Sequence, residues 1–168
     1  MNAPYMGRFR VSQPYSASHT GLDLVGIDAK EIHSTVSGTV VRAGWENDAD
    51  HSQGFGLRVV ILRDGPQNEY YYFGHLSEIR VKAGDRVGIT DIIGTEGSTG
   101  QSNGPHCHYE CRLHDSKAMH QNISTISGIP NAPGIYDDGF RQQMPAPETK
   151  QCSLTFGGET WEGTLTRK

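Results

Sequence analysis

The sequence predicts a mainly β protein, an antiparallel split barrel or sandwich with little helix. Three observations predict it. No window longer than about ten residues sustains a 3.6-residue apolar period. Short β-branched or aromatic runs recur instead, bounded by Gly, Asp and Asn. Glycine makes up 21 of the 168 residues, a content that suits many tight turns. In chain order, Thr39-Val40-Val41-Arg42 follows Ser37-Gly38, and Leu57-Arg58-Val59-Val60-Ile61-Leu62 is closed by Asp64-Gly65. Glu69-Tyr70-Tyr71-Tyr72-Phe73 makes a strand with Tyr70 and Tyr72 on one face and Tyr71 and Phe73 on the other. The turn Lys82-Ala83-Gly84-Asp85 leads into Arg86-Val87-Gly88-Ile89. Ile92-Ile93-Gly94 precedes a glycine-rich stretch, and residues 105–112 read as a further strand. Strands at such short intervals favour antiparallel pairing.

The length fits one domain with a short appendage. Residues 1–139 are expected to form that domain, 140–152 (with Pro145 and Pro147) a linker, and 153–168 a hairpin around Gly157-Gly158, the possible edge of a further module. A lone hairpin is marginal in water, so it must pack on something. Fifteen Lys and Arg against nineteen Asp and Glu give a net charge of −4, a poor match for a polyanion, so no nucleic-acid partner is expected. The longest aliphatic run, Val59 to Leu62, is too short to span a bilayer, so no membrane insertion is expected. Residues 1–20 hold no apolar core of a secretory signal. Three cysteines make a poor disulfide framework. On one strand Cys107 and Cys111 would lie about 13 Å apart, beyond bridging distance, and are expected to be small buried hydrophobes.

Eight histidines need an explanation. His19-Thr20-Gly21-Leu22-Asp23 brings an imidazole and a carboxylate to one turn, a donor pair that suits zinc. His106-Cys107-His108 puts two imidazoles on one strand face about 6.6 Å apart, with Cys107 turned inward. His75 ends the tyrosine-rich strand after Gly74, where a backbone or substrate can approach closely. Each of these alone has an ordinary reading as a surface or strand histidine.

Together they carry a resemblance. Residues 94–110, with His106-Cys107-His108 near their end, resemble the characteristic stretch of the lysostaphin-like zinc metallopeptidases, endopeptidases that cut peptidoglycan peptides. His19 and Asp23 match that family's first motif. Phe73-Gly74-His75-Leu76-Ser77 followed by residues 81–87 matches its middle segment. The three motifs stand in register over about residues 10 to 115. The resemblance implies an open groove in the β fold with His19, Asp23 and His108 holding one Zn²⁺ per chain, and His75 and His106 as an unliganded catalytic pair. Such chemistry is self-consistent. Three protein ligands leave a position open, the mark of a catalytic zinc, and neutral imidazoles near pH 7 can accept and return a proton.

The resemblance further implies a monomeric cell-wall lytic enzyme acting on bacterial peptidoglycan peptides. Without a signal segment it would be made in the cytoplasm and released at lysis, as a phage or prophage endolysin is, or be a piece of an exported or virion protein. The alternative is a catalytically idle wall-peptide-binding or amidase-activator module of the same fold, though such modules lack ligands that this chain keeps. Cys107 stands where relatives carry an aliphatic residue. Tyr15 lies upstream of His19, where some relatives have an oxyanion-assisting tyrosine, but the match there is loose and it is not counted in the site. His33, His51, His114 and His120 match no motif and are expected at the surface.

Overall fold

The computed structural model describes residues 1–137, together with the backbone of two strands at 149–156 and 159–166. In chain order the strands are β1 (Arg8–Gln13), β2 (Leu22–Gly26), β3 (Glu31–His33), β4 (Gly38–Trp45), β5 (Leu57–Arg63), β6 (Glu69–Gly74), β7 (Glu78–Ile79), β8 (Arg86–Val87), β9 (Ile92–Thr95), β10 (Cys107–Leu113), β11 (His120–Gln121), β12 (Gly134–Asp137), β13 (Thr149–Phe156) and β14 (Glu159–Thr166). Among the described residues a short α-helix, α1 (Ile123–Ser127), is capped by the Asn122 side chain and ended by Gly128 in the left-handed conformation. No helix among the described residues is long and apolar enough to cross a membrane.

The main sheet runs β12-β1-β2-β10-β6-β5-β4-β8, with β11 paired to β10, and every pairing is antiparallel. A small sheet, β3-β9-β7, joins residues just after β2 to those just before the glycine-rich stretch. The mainly β antiparallel fold matches expectation. The strand expected at Arg86-Val87-Gly88-Ile89 is shorter, because Gly88 already turns toward Asp91.

Period-two alternation divides the two faces. On β1, Phe9 and Val11 are buried while Arg8, Arg10 and Ser12 point away. On β2, Leu22 and Leu24 are buried between the less covered Asp23 and Val25. Phe73, Tyr71, Tyr109, Cys107 and Cys111 join these apolar side chains in one core with Ile32, Ile61, Leu76 and Ile93. Both cysteines are buried thiols without a disulfide. Strand β10 is buried on both faces over its first six residues, so its second face holds His108, Glu110 and Arg112 out of bulk water. That second face is the floor of the groove.

A buried carboxylate ties the N-terminal segment to this frame. Glu96 accepts hydrogen bonds from the Tyr5 hydroxyl at 2.6 Å, the Gly26 amide at 2.7 Å and Lys30 Nζ at 2.6 Å. The same segment covers His33, whose amide donates to Pro4 O. His33 is therefore buried, 8% exposed, with Nδ1–H donating to Thr90 O, and the expectation of a surface residue is corrected. His120 is half-buried against Tyr15, another departure from that expectation. His51 and His114 are exposed, His51 lying flat on Trp45 at 3.7 Å between centroids.

Strands β13 and β14 pair from Thr149↔Thr166 to Phe156↔Glu159. The first of them begins inside the stretch expected as linker, and the residues between 137 and 149 lie outside the described ones. Cys152 has no described side chain.

Candidate metal centre and catalytic groove

The register of three neighbouring strands assembles the centre. On β10, His108 stands opposite Asp23 of β2 on one side and Gly74 of β6 on the other. A slip in register between Val11 and Gln13 marks a bulge in β1 beside Asp23, a feature common at the edges of functional sites. His19 comes from the turn before β2, closed by the reciprocal backbone pair Ser16–His19. Its Nε2 lies 3.1 Å from Asp23 Oδ1, and His108 Nδ1 lies 2.8 Å from the same oxygen. One donor atom from each of His19, Asp23 and His108 falls within 4.8 Å of the others, a group that could hold a metal ion.

The opposite ring nitrogens are already spoken for. His19 Nδ1–H donates to Pro14 O at 2.9 Å, leaving Nε2 to face Asp23. His108 Nε2–H donates to Glu110 Oε2 at 3.1 Å, leaving Nδ1 for the centre. A carboxylate or carbonyl behind a ligating imidazole fixes its tautomer and orientation, the arrangement that metal-binding histidines use. Two imidazole nitrogens and one carboxylate oxygen also suit zinc by chemistry. The donor set fits the expected metal.

Sequence spacing leaves a role for Glu110 unnoticed, yet it completes the centre. It is 0% exposed and accepts from Arg112 Nε at 2.6 Å as well as from His108. Arg112 in turn stacks over Tyr72 at 4.3 Å, and the Tyr72 hydroxyl donates to Asp115, which also binds Arg42. The signal was the alternation itself: two and four residues past His108, Glu110 and Arg112 must share its face. Burial would raise the Glu110 carboxyl, but His108 and Arg112 outweigh it and hold it down at about 2. Asp23 behaves alike. Burial opposes its charge, yet hydrogen bonds from His108 and His19 keep it well below the usual carboxylate range. Burial lowers His108, and its two carboxylate partners reverse this into a net rise.

The remaining histidines of the motifs flank this group. His106 precedes β10 in an isolated bridge to Gly97, and its Nδ1–H donates to Gly104 O at 2.8 Å. His75 adopts a left-handed backbone (φ 62°), uncommon outside glycine, with its amide held by Phe55 O at 2.7 Å. Its Nδ1–H donates to Thr99 O at 2.8 Å. The two rings lie 4.6 Å apart, and His106 Nε2 is 3.6 Å from Asp23 Oδ1. Burial pushes the His75 imidazole down to about 4, so it stands neutral with Nε2 bare. All five motif residues thus line one groove of about 700 Å³. Tyr15 is not among its lining residues; its hydroxyl meets His120 Nδ1 at 3.0 Å.

Two close approaches shape the groove. A Cβ on Gly100 would fall 2.3 Å from Gly56 N and 2.6 Å from Gly54 O, where the 46–56 and 97–104 loops touch to form one wall. A Cβ on Gly21 would fall 2.6 Å from both His108 Nε2 and Tyr109 O. Because the latter is backbone of the central strand, Gly21→Ala is expected to displace His108. A loss of about 1–3 kcal/mol in denaturant unfolding should accompany weakened zinc binding in a chelator competition.

Residues 17–121, which contain all five motif residues, match the model described as Peptidase family M23. The chain belongs to that family. Within it, the chain is 37% identical over 93 residues to the glycyl-glycine endopeptidase ALE-1 of Staphylococcus capitis, covering 55% of this chain and 24% of that protein. It is 31% identical over 104 residues to Endolysin 2638A of Staphylococcus phage 2638A, covering 59% of this chain and 20% of the other. The catalytic domain of lysostaphin from Staphylococcus simulans superposes with a TM-score of 0.59 at 27% identity, over 72% of this chain and 91% of that one. The chain spans about a quarter or less of the length of the first curated relatives it matches. As a metallopeptidase family, M23 implies a metal, in keeping with the donor group just described.

Proposed function

We propose that this M23 chain is a zinc-dependent endopeptidase that hydrolyses amide bonds in peptidoglycan stem or cross-bridge peptides, acting at the bacterial cell wall as a monomer with one zinc. The observation that carries the reading is the convergence of His19 Nε2, Asp23 Oδ1 and His108 Nδ1 beside two further imidazoles. The names of two relatives, a glycyl-glycine endopeptidase and a phage endolysin, support peptide-bond hydrolysis and a lytic role.

His19, Asp23 and His108 would hold the zinc, which when bound polarises a scissile carbonyl and acidifies water. The chain's own residues do the rest. His75 and His106 each spend Nδ1–H on a backbone carbonyl, so each presents a bare Nε2 to the groove. Such a nitrogen can take the proton of the attacking water and return it to the leaving amine. Until it does so, the imidazolium so formed holds an N–H and a positive charge beside the developing oxyanion and stabilises it. Phe55, whose ring lies 5.3 Å from that of His108, forms part of the groove wall beside the centre.

Purified protein should contain about one zinc per chain and release free amino groups from isolated cell walls. Chelation should abolish that release, and added zinc should restore it. Undiminished hydrolysis by metal-free protein, or a zinc-loaded protein that releases no amino groups, would overturn the reading.

A further inference from the structure

The charges lining the groove do not balance. Asp23 is engaged by His19 and His108, Glu46 by Arg58 at 2.7 Å, and Arg112 by the buried Glu110. Among the described residues Arg10 and Lys117, which also line the groove, make no ion pair and no side-chain hydrogen bond. Among the described residues, a protein of net charge −4 thus leaves only positive charge unspent in its groove. Overall composition does not produce that surplus; placement does.

Arg10 stands in a defined setting. The register of β1 puts it between Val25 of β2 and Ile135 of β12. Val25 lines the groove, and Ile135 is an isoleucine left 63% exposed on an edge strand. Leu24 pairs with Cys107, so Val25 lies next to the His106 end of β10. A guanidinium flanked by two aliphatic side chains, with only β2 between its strand and the one that carries His106 and His108, matches a residue with an aliphatic body and an anionic end. Arginine presents a planar donor fork that a carboxylate fills with two hydrogen bonds, and the flanking aliphatic side chains offer apolar surface to the body of the same residue.

We propose that this end of the groove is a subsite for a substrate residue bearing a free carboxylate, bound by Arg10 over a floor of Val25 and Ile135. The proposal rests on the endopeptidase reading and narrows its substrate class. The chain selects wall peptides that carry an ionised carboxylate beside the cleaved bond over neutral oligoglycine or carboxamide forms.

The test uses two wall peptides that differ only in one carboxylate replaced by its carboxamide, plus an oligoglycine. Zinc-loaded protein is expected to cleave the acid with a kcat/KM about 10-fold or more above the amide, the difference residing in KM. Arg10→Gln should bring the acid-to-amide ratio close to one, and Arg10→Lys should recover part of it. Dissociation constants for the two peptides, measured without turnover, should show the same preference and the same loss. Equal treatment of acid and amide by the native protein, or an unchanged ratio in Arg10→Gln, would overturn the subsite. Absence of cleavage for all three peptides, with the acid still bound more tightly through Arg10, would overturn the endopeptidase reading and leave the subsite standing.

Discussion

His75→Asn is expected to lower kcat by about 10²–10⁴-fold, the usual contribution of a positioned acid–base group, while zinc stays bound. The separation follows from position. His75 directly follows β6, and its hydrogen bonds run to Phe55 O and Thr99 O rather than to Asp23. Asparagine is the better replacement than alanine, because the backbone at this position is left-handed and asparagine tolerates that region. His75→Ala should show the same fall in turnover with an added stability loss on the order of 1 kcal/mol from that strain. Stopped assays on wall fragments with parallel zinc analysis would check the result. A variant that keeps native turnover would remove His75 from the chemistry, and one that loses its zinc would make it part of the metal site.

Glu110→Ala has the largest expected effect on the folded state. It would strip His108 Nε2 of its acceptor and leave the Arg112 guanidinium, 11% exposed at the side chain, without its carboxylate. Breaking one partner of a buried pair costs about 3–5 kcal/mol, and loss of the group behind a metal-ligating histidine weakens metal binding about 10–100-fold. Glu110→Gln separates the two effects. The amide oxygen can still accept a hydrogen bond but carries no charge, so zinc affinity should fall with a smaller loss of stability. Chelator competition and thermal unfolding in the zinc-free state, measured on both variants, read the two quantities independently. Native zinc affinity in Glu110→Gln would show that the carboxylate is structural alone.

Much of the centre was legible because it obeys strand arithmetic. Asp23, His106 and His108 sit at or beside paired strands, and spacing two apart puts the imidazoles on one face whatever the rest of the chain does. The fold class was legible from the short β-branched and aromatic runs that form β4, β5, β6, β9 and β10, whereas β1 and β2, which carry the Asp23 side of the groove, are not among those runs. What escaped depends on contacts across long separations. His33 is buried by a segment at the N-terminus, and His120 is half-buried by Tyr15, 105 residues earlier. Neither cover leaves a local pattern. Glu110 was different: its alternation was on the page, but a carboxylate two residues from a histidine becomes informative only when the strand is known to be buried on both faces.

The apposition of Gly100 with Gly54 and Gly56 bears on how such an enzyme changes its diet. Gly100 N donates to His51 O and Gln101 N to Gly54 O, so the two loops form a single sutured wall. A side chain added at that seam on either loop would force the other away and open the groove beside His75. Substrate range therefore cannot be altered one loop at a time. An exchange between relatives should transplant residues 46–56 and 97–104 as a pair.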